Sequence, residues 1–253
     1  MKVLLTGGNG FIASYLAESF ASMGHEIMNV SRSTSPAFDE ILLSKEEFEI
    51  YIHTAGLSSD TPFGDEKLYY DANVATTDSL LKRFKTDTKA KKFIYFSTLY
   101  VQNENLSQAP YTFSKKLAEK LLNEESDHRI HIIRPALVCD FNKPRGVLAP
   151  IQKLAGKGLG LKFPKGYHMQ WVRLDSIKDC ILNIISGDIN ENTINLIDND
   201  ANLNDLKGWL ADFGENCPKI TIYLPSWFLS LAFSFGHLLR LPFNKYFLQK
   251  LKS

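Results

Sequence analysis

Short apolar runs alternate with helix-spaced segments through the first half of the chain. KVLLT (2–6) predicts a buried strand, and Phe11, Ile12, Tyr15, Leu16 and Phe20 then recur at helical spacing as far as Gly24. HEIMNVS (25–31) predicts a second strand, EILLS (40–44) a short third and FEIYIHTA (48–55) a fourth, apolar on both faces. Residues 66–84 predict a helix, KKFIYFST (91–98) a strand, 111–124 a helix and RIHIIRP (129–135) a further strand. Continuous apolar strands alternating with helices describe a parallel sheet covered on both faces.

Beyond Pro135 the pattern loosens. Residues 140–170 are rich in glycine and proline in a basic setting (KPRG, GKGLG, FPKG), with helical spacing again at 175–186 and 203–213 and a short strand, TINLI, at 193–197. The expected layout is a sheet domain over 1–138, with 175–198 returning to it, and a small lobe built from 139–174 and 199–253.

Composition narrows the class. With 253 residues, 44% apolar and 23% charged, the chain can bury a proper core. A net charge of +1 gives no global field that would recruit nucleic acid. Cys139, Cys180 and Cys217 are odd in number and dispersed, so neither a disulfide framework nor a metal site is expected. Only three apolar residues separate Lys2 from Thr6, too few for a signal sequence, and a reducing, cytoplasmic location is expected.

Three glycines in four positions (Gly7, Gly8, Gly10) then call for a reason, because glycine loses the most backbone freedom on folding. A strand running through a glycine turn into a helix makes an anion site. The first N–H groups of the helix lack partners, and its dipole puts positive charge there. The spacing Gly7-x-x-Gly10-x-x-Ala13 fits a dinucleotide turn, with Gly7, Asn9, Gly10, Phe11 and Ile12 around the diphosphate and a small third residue for helix–sheet packing. At the end of the second strand an acidic residue would hold the ribose hydroxyls of NAD. The sequence there is Val30-Ser31-Arg32-Ser33, and an arginine flanked by serines suits a 2′-phosphate. NADP is therefore favoured over NAD.

Tyr111-Thr112-Phe113-Ser114-Lys115 places a phenol and an amine one helical turn apart. A neighbouring ammonium favours phenolate, so Tyr111 becomes a candidate acid/base and Lys115 a candidate holder of the nicotinamide ribose. Ser97-Thr98 ends the preceding strand at the carboxyl edge of the sheet, where open α/β proteins bind ligands. Asn73 sits inside a predicted helix despite poor helix propensity, which a polar contact to the site would explain.

These pieces together resemble the extended short-chain dehydrogenase/reductase family, which includes nucleotide-sugar epimerases, dehydratases and ketoreductases. The matching stretches are TGGNGFIAS, HTAG (53–56), NVATTDSLL (73–81), FSTLYV (96–101), PYTFSK (110–115) and IIRPALV (132–138), in family order over roughly the first 140 residues. The resemblance implies an α/β Rossmann-type doubly wound parallel sheet with a small C-terminal substrate lobe, an NAD(P) cofactor and hydride chemistry at a sugar carbon. It also implies Thr98, Tyr111 and Lys115 as the catalytic triad, with Asn73 supporting the Lys115 end. Thr54, Ala55 and Gly56 would line the cofactor, Pro135 to Val138 would approach the nicotinamide, and the protein would form a homodimer. Ser58, Thr98, Lys162 and Arg173 are the substrate-side candidates.

Departures from the family pattern sharpen the expectation. Dehydratases of the family carry an Asp-Glu pair after the hydroxyl residue; Leu99-Tyr100 stand there, and dehydration is disfavoured. Met169 occupies the place of an arginine that binds the substrate diphosphate. Lys162, Lys165, His168 or Arg173 then supplies that charge, or the substrate is not an ordinary nucleotide sugar. The tail 224–253 has no acidic residue and an apolar run too short and too interrupted to span a bilayer. Helices docked on the lobe are favoured over peripheral contact with the inner face of a membrane, a contact that would accord with a lipid-linked sugar. The expected activity is interconversion of a secondary alcohol and a ketone on an activated sugar, with 4-ketoreductase ahead of 4-epimerase. The rival is an inactive NAD(P)-binding regulator or scaffold.

Overall fold

The computed structural model describes residues 1–31, 37–58, 65–107, 109–140, 153–154, 157–202 and 220–228. Two units divide the chain. The first comprises Met1–Gln102, Ser107–Pro135 and Leu174–Leu196, and the second Asn103–Leu106, Ala136–Arg173 and Ile197–Ser253.

The first unit is built on a six-stranded sheet of β1 (Lys2–Thr6), β2 (Glu26–Val30), β3 (Ile50–His53), β4 (Lys92–Phe96), β5 (Ile130–Pro135) and β9 (Thr193–Leu196). Its order is β2-β1-β3-β4-β5-β9, and every neighbouring pair is parallel. Strand order reverses between β1 and β3, which opens the crevice at their carboxyl ends where doubly wound sheets take ligands. The flanking helices are α1 (Phe11–Ser22), α2 (Phe38–Leu43), α3 (Glu66–Tyr70), α4 (Thr76–Thr86), α5 (Pro110–Glu124) and α6 (Leu174–Ser186). Val3, Leu4 and Leu5 of β1 and all four residues of β3 are buried, as a sheet covered on both faces demands. Ala13, fully buried, lets α1 approach the sheet closely. On the β3–β4 face Tyr51, Phe84 and Phe93 interlock edge to face at 5.3–5.4 Å.

Two expectations are corrected. EILLS does not form a strand; Phe38–Leu43 is helical, with Phe38 and Ile41 buried three residues apart. Glu40 accepts the Ala37 N–H at 3.0 Å, and Asp39 and Glu40 stand in the first turn, so local capping outweighs the apolar ILL run. The helix expected over 66–84 is not uninterrupted: a π turn, Asp71–Ala75, separates α3 from α4. The helical spacing expected at 203–213 lies outside the described residues.

The second unit contains a three-stranded sheet, β10 (Asn199–Asn202), β8 (His168–Arg173) and β6 (Leu137–Cys139), and a parallel pair, β11 (Ile220–Tyr223) with β7 (Leu159–Lys162). Met169 and Trp171 alternate with His168 and Gln170 along β8, and the first two are buried. Trp227 and Phe228 are exposed, with their rings edge to face at 6.0 Å. No helix among the described residues is long and apolar enough to cross a membrane.

Candidate active site

The glycine turn follows β1 directly. Gly7 takes a φ of +91°, and a Cβ there would lie 2.6 Å from Thr54 Oγ1 and 2.9 Å from the Ala55 nitrogen. Only glycine lets the turn and the end of β3 come so close. Thr54 closes the contact by donating its hydroxyl to the Thr6 carbonyl at 2.7 Å. Gly10 is the N-cap of α1, with no side-chain cap and no acidic residue in the first turn. The N-terminus of a twelve-residue helix, uncapped by any side chain, therefore follows directly on Gly7, Asn9 and Gly10, an arrangement that fits a diphosphate. Phe11 and Ile12 open that helix half-buried. At the end of β2, the Asn9 amide reaches the Ser31 hydroxyl at 3.4 Å. Arg32 and Ser33, which the sequence puts forward as readers of a 2′-phosphate, lie outside the described residues.

The second cluster is assembled by α5, the end of β4 and the π turn. Pro110 starts α5 at its first position, so Tyr111 stands in the first turn and Lys115 one turn later. Lys115 is buried, and its Nζ donates to the Phe96 carbonyl at 2.8 Å and lies 4.8 Å from the centre of the Tyr95 ring. Burial pushes the amine down to about 8, against the opposing charge of Glu119 one turn further on. Glu119 is itself held by Arg134 through bonds of 2.9 and 2.5 Å. Tyr111 is half-buried, with the Tyr69 ring edge-on at 6.3 Å. The phenol of Tyr95 is raised first by its burial, then by Tyr111 and Glu119. Thr98 is buried just past β4 and accepts the Tyr100 N–H at 3.4 Å.

Asn73 is fully buried in the π turn, a type of defect that collects at functional sites. Its Oδ1 accepts the Leu57 N–H at 2.7 Å, and its Nδ2 donates to Ser114 Oγ at 2.8 Å. The Ser114 hydroxyl in turn donates to the Tyr111 carbonyl at 2.8 Å. A Cβ on Gly56 would lie 2.4 Å from Asn73 Oδ1 and 3.5 Å from Lys115 Nζ. Asn73, Gly56 and Lys115 thus form one contact group, and Ala55 and Thr54 lead from it back to the glycine turn.

Further candidates fall elsewhere. Ser58 is exposed, and its carbonyl accepts the Tyr69 hydroxyl at 2.9 Å. Pro135 is buried at the end of β5, while Val138 is half-buried in β6 of the second unit. Lys162 ends β7 half-buried, and Arg173 ends β8 exposed, its guanidinium 5.5 Å from the Trp171 ring. Met169 packs into the interior of its own unit, which accounts for a thioether at that place. Tyr69, Ser114 and His53 are site-region residues that the spacing arguments passed over. Ser114 lies inside the Tyr/Lys motif, and His53 was visible as a lone histidine on an apolar strand.

Residues 3–139, more than half of the chain, match the model of the NAD dependent epimerase/dehydratase family. A GDP-6-deoxy-D-talose 4-dehydrogenase of Aggregatibacter actinomycetemcomitans is 26% identical over 224 residues, 78% of this chain and 74% of that protein. A UDP-glucose 4-epimerase of Klebsiella pneumoniae is 28% identical over 141 residues, 45% of this chain and all of that protein. Among solved structures, a human epimerase family protein with NADPH superposes with a TM-score of 0.77 at 17% identity, covering 99% of this chain and 88% of that one. The chain belongs to the NAD dependent epimerase/dehydratase family.

Proposed function

We propose that the protein is an NAD(P)-dependent enzyme that interconverts a secondary alcohol and a ketone on an activated sugar, with 4-ketoreductase favoured over 4-epimerase. The observation that carries this reading is the position of Lys115: buried, anchored at the Phe96 carbonyl, and one turn from an accessible Tyr111. In a family of NAD-dependent enzymes, that arrangement supports a tyrosine acid/base and a lysine that favours its phenolate. Thr98 orients the substrate oxygen that Tyr111 protonates or deprotonates. Lys115 also holds the ribose, while the glycine turn and the N-terminus of α1 hold the diphosphate. When bound, the nicotinamide supplies hydride transfer at its C4.

The relative that matches the larger share of the chain is named a 4-dehydrogenase, and it supports an enzyme that takes and releases its cofactor. NADP is favoured over NAD because no acidic residue ends β2 and Arg32 stands between serines. A nucleotide-linked sugar is the substrate class that both named relatives support. A homodimer through the α3 and α5 face is supported by exposed Leu68, Tyr70 and Phe113.

Mass spectrometry of the nucleotide that co-purifies tests the cofactor. Release of NADP(H), with consumption of NADPH on a 4-keto sugar nucleotide, is the expected result. Tightly retained NAD without net turnover of cofactor would favour the epimerase. Full activity of Tyr111→Phe on a verified substrate would end the catalytic assignment.

A further inference from the structure

His53 is fully buried at the end of β3 and plays no part in the proton chemistry proposed above. The hydrogen bonds around it assign a tautomer to its ring. The hydroxyl of Thr77 has one proton, which it donates to the Asn73 carbonyl at 2.7 Å. At 3.0 Å from His53 Nε2, the Thr77 oxygen therefore acts as acceptor, and Nε2 carries the imidazole proton. Nδ1 is then the acceptor, and it takes the Thr6 hydroxyl at 2.6 Å. The order is Thr6 to His53 to Thr77 to the Asn73 carbonyl, and all four residues are fully buried.

The two ends of this line matter. Thr6 precedes the glycine turn and pairs with His53 across the sheet. Asn73 lies in the π turn, where widening of the helix loosens the backbone ladder and hydroxyls step in: Thr76 reaches the Asp71 carbonyl at 3.0 Å, and Thr77 that of Asn73. Beyond its backbone, Asn73 holds Leu57 and, through Ser114, the first turn of α5.

We propose that His53 is a positioning residue, which sets Asn73 and hence the Leu57 and Ser114 contacts relative to the glycine turn by bridging Thr6 and Thr77. Its link to turnover rests on the function proposed above; its structural part does not. A second buried histidine in the same sheet provides the contrast. His131 on β5 bonds the Glu191 carbonyl at 2.9 Å and the Lys92 ammonium at 3.0 Å. Its partners lead to the amino-terminal ends of β9 and β4, the opposite edge from the site. A histidine that merely fills the core would behave like His131.

The test uses the full chain saturated with NADPH, and reads hydrogen exchange at the Leu57 amide, the group that Asn73 Oδ1 holds. His53→Asn keeps an amide near Nδ1 but does not reach Thr77, whereas His53→Gln restores a donor near Nε2. Thr77→Val and Thr77→Ser form the isosteric pair. One lost hydrogen bond corresponds to ~10-fold faster exchange in His53→Asn and Thr77→Val, with His53→Gln and Thr77→Ser close to wild type. His131→Asn lowers the melting temperature and leaves Leu57 exchange unchanged. With the oxidised cofactor supplied as hydride acceptor in a separate assay, on whichever of GDP-6-deoxy-D-talose or UDP-glucose supports turnover, kcat falls with Leu57 protection, while KM and NADPH affinity hold. The proposal is overturned if Thr77→Val leaves Leu57 protected, or if Thr77→Ser fails as badly as Thr77→Val. It is overturned equally if His131→Asn has the same effect as His53→Asn. Tyr111→Phe tests the catalytic reading separately, since it leaves the Leu57 amide untouched.

Discussion

A methyl group on Gly56 would sit 2.4 Å from Asn73 Oδ1, so the loop after β3 and the π turn fit together only through a residue without a side chain. Asn73 cannot retreat, because its amide already holds Leu57 and Ser114. Gly56→Ala is expected to cost ~1–3 kcal/mol through overpacking. It also displaces the neighbour of Lys115, whose Nζ lies 3.5 Å from the same Cβ position. A denaturant titration measures the first effect and NADPH affinity the second. Unchanged values for both would show that the loop relaxes freely.

Lys115 supplies the next expectation. Its amine is pushed down to about 8 by burial, and in the function proposed above its charge favours phenolate on Tyr111. Activity is therefore expected to fall as pH rises through about 8, where the ammonium is lost. Lys115→Arg does not rescue, because the larger guanidinium overpacks a buried site where a single Nζ now meets the Phe96 carbonyl and the Tyr95 ring. Tyr111→Phe lowers kcat by ~10²–10⁴-fold, the range of acid/base catalysis, and leaves NADPH affinity in place. Steady-state rates from pH 6 to 10 and a binding titration check all three.

Glu119 acts on the same amine from one turn below. Its carboxylate raises the Lys115 pKa against burial, so Glu119→Gln should shift the alkaline fall in activity to lower pH. The substitution also leaves Arg134 without its bidentate partner. Loss of a pair that is mostly buried costs ~3 kcal/mol, less to the extent that Arg134 meets water. A pH profile that stays put while the melting temperature falls would restrict Glu119 to a structural role.

The residues that these predictions use were unequally legible in the sequence. Gly7, Gly10 and the Tyr111–Lys115 spacing stand out because their chemistry needs particular residue types at fixed local distances. The π turn at Asn73 does not stand out, since YYDANVATT keeps ordinary helical spacing. The partners that Asn73 holds from this turn, Leu57 and Ser114, are 16 and 41 positions away. Tyr69 was hidden for the same reason, as its ring contact is with Tyr111. ILL at 41–43 carries no periodicity that separates strand from helix, and Glu40 decided it. The burial of Met169 follows from alternation along β8, a pattern that means little until the strand is placed.

Acid should reveal His53. Burial, followed by the charge of Lys115, pushes its imidazole from 6.5 down to about 3, whereas the unfolded chain protonates near the ordinary value. The Tyr95 and Phe93 rings packed on it carry no charge to offset this. Between those two values the unfolded state binds a proton that the folded state refuses, so stability falls as pH drops from about 6.5 toward 3. The full effect reaches ~5 kcal/mol, a large share of the 5–15 kcal/mol typical of a domain. His131, lowered by its own burial, adds to the loss in the same direction. His53→Gln carries no titrating group and should flatten the pH dependence of unfolding between pH 6 and 4, although it starts from a lower plateau. Urea midpoints across that range decide the matter: parallel curves for wild type and His53→Gln would mean that His53 takes up its proton in the folded protein.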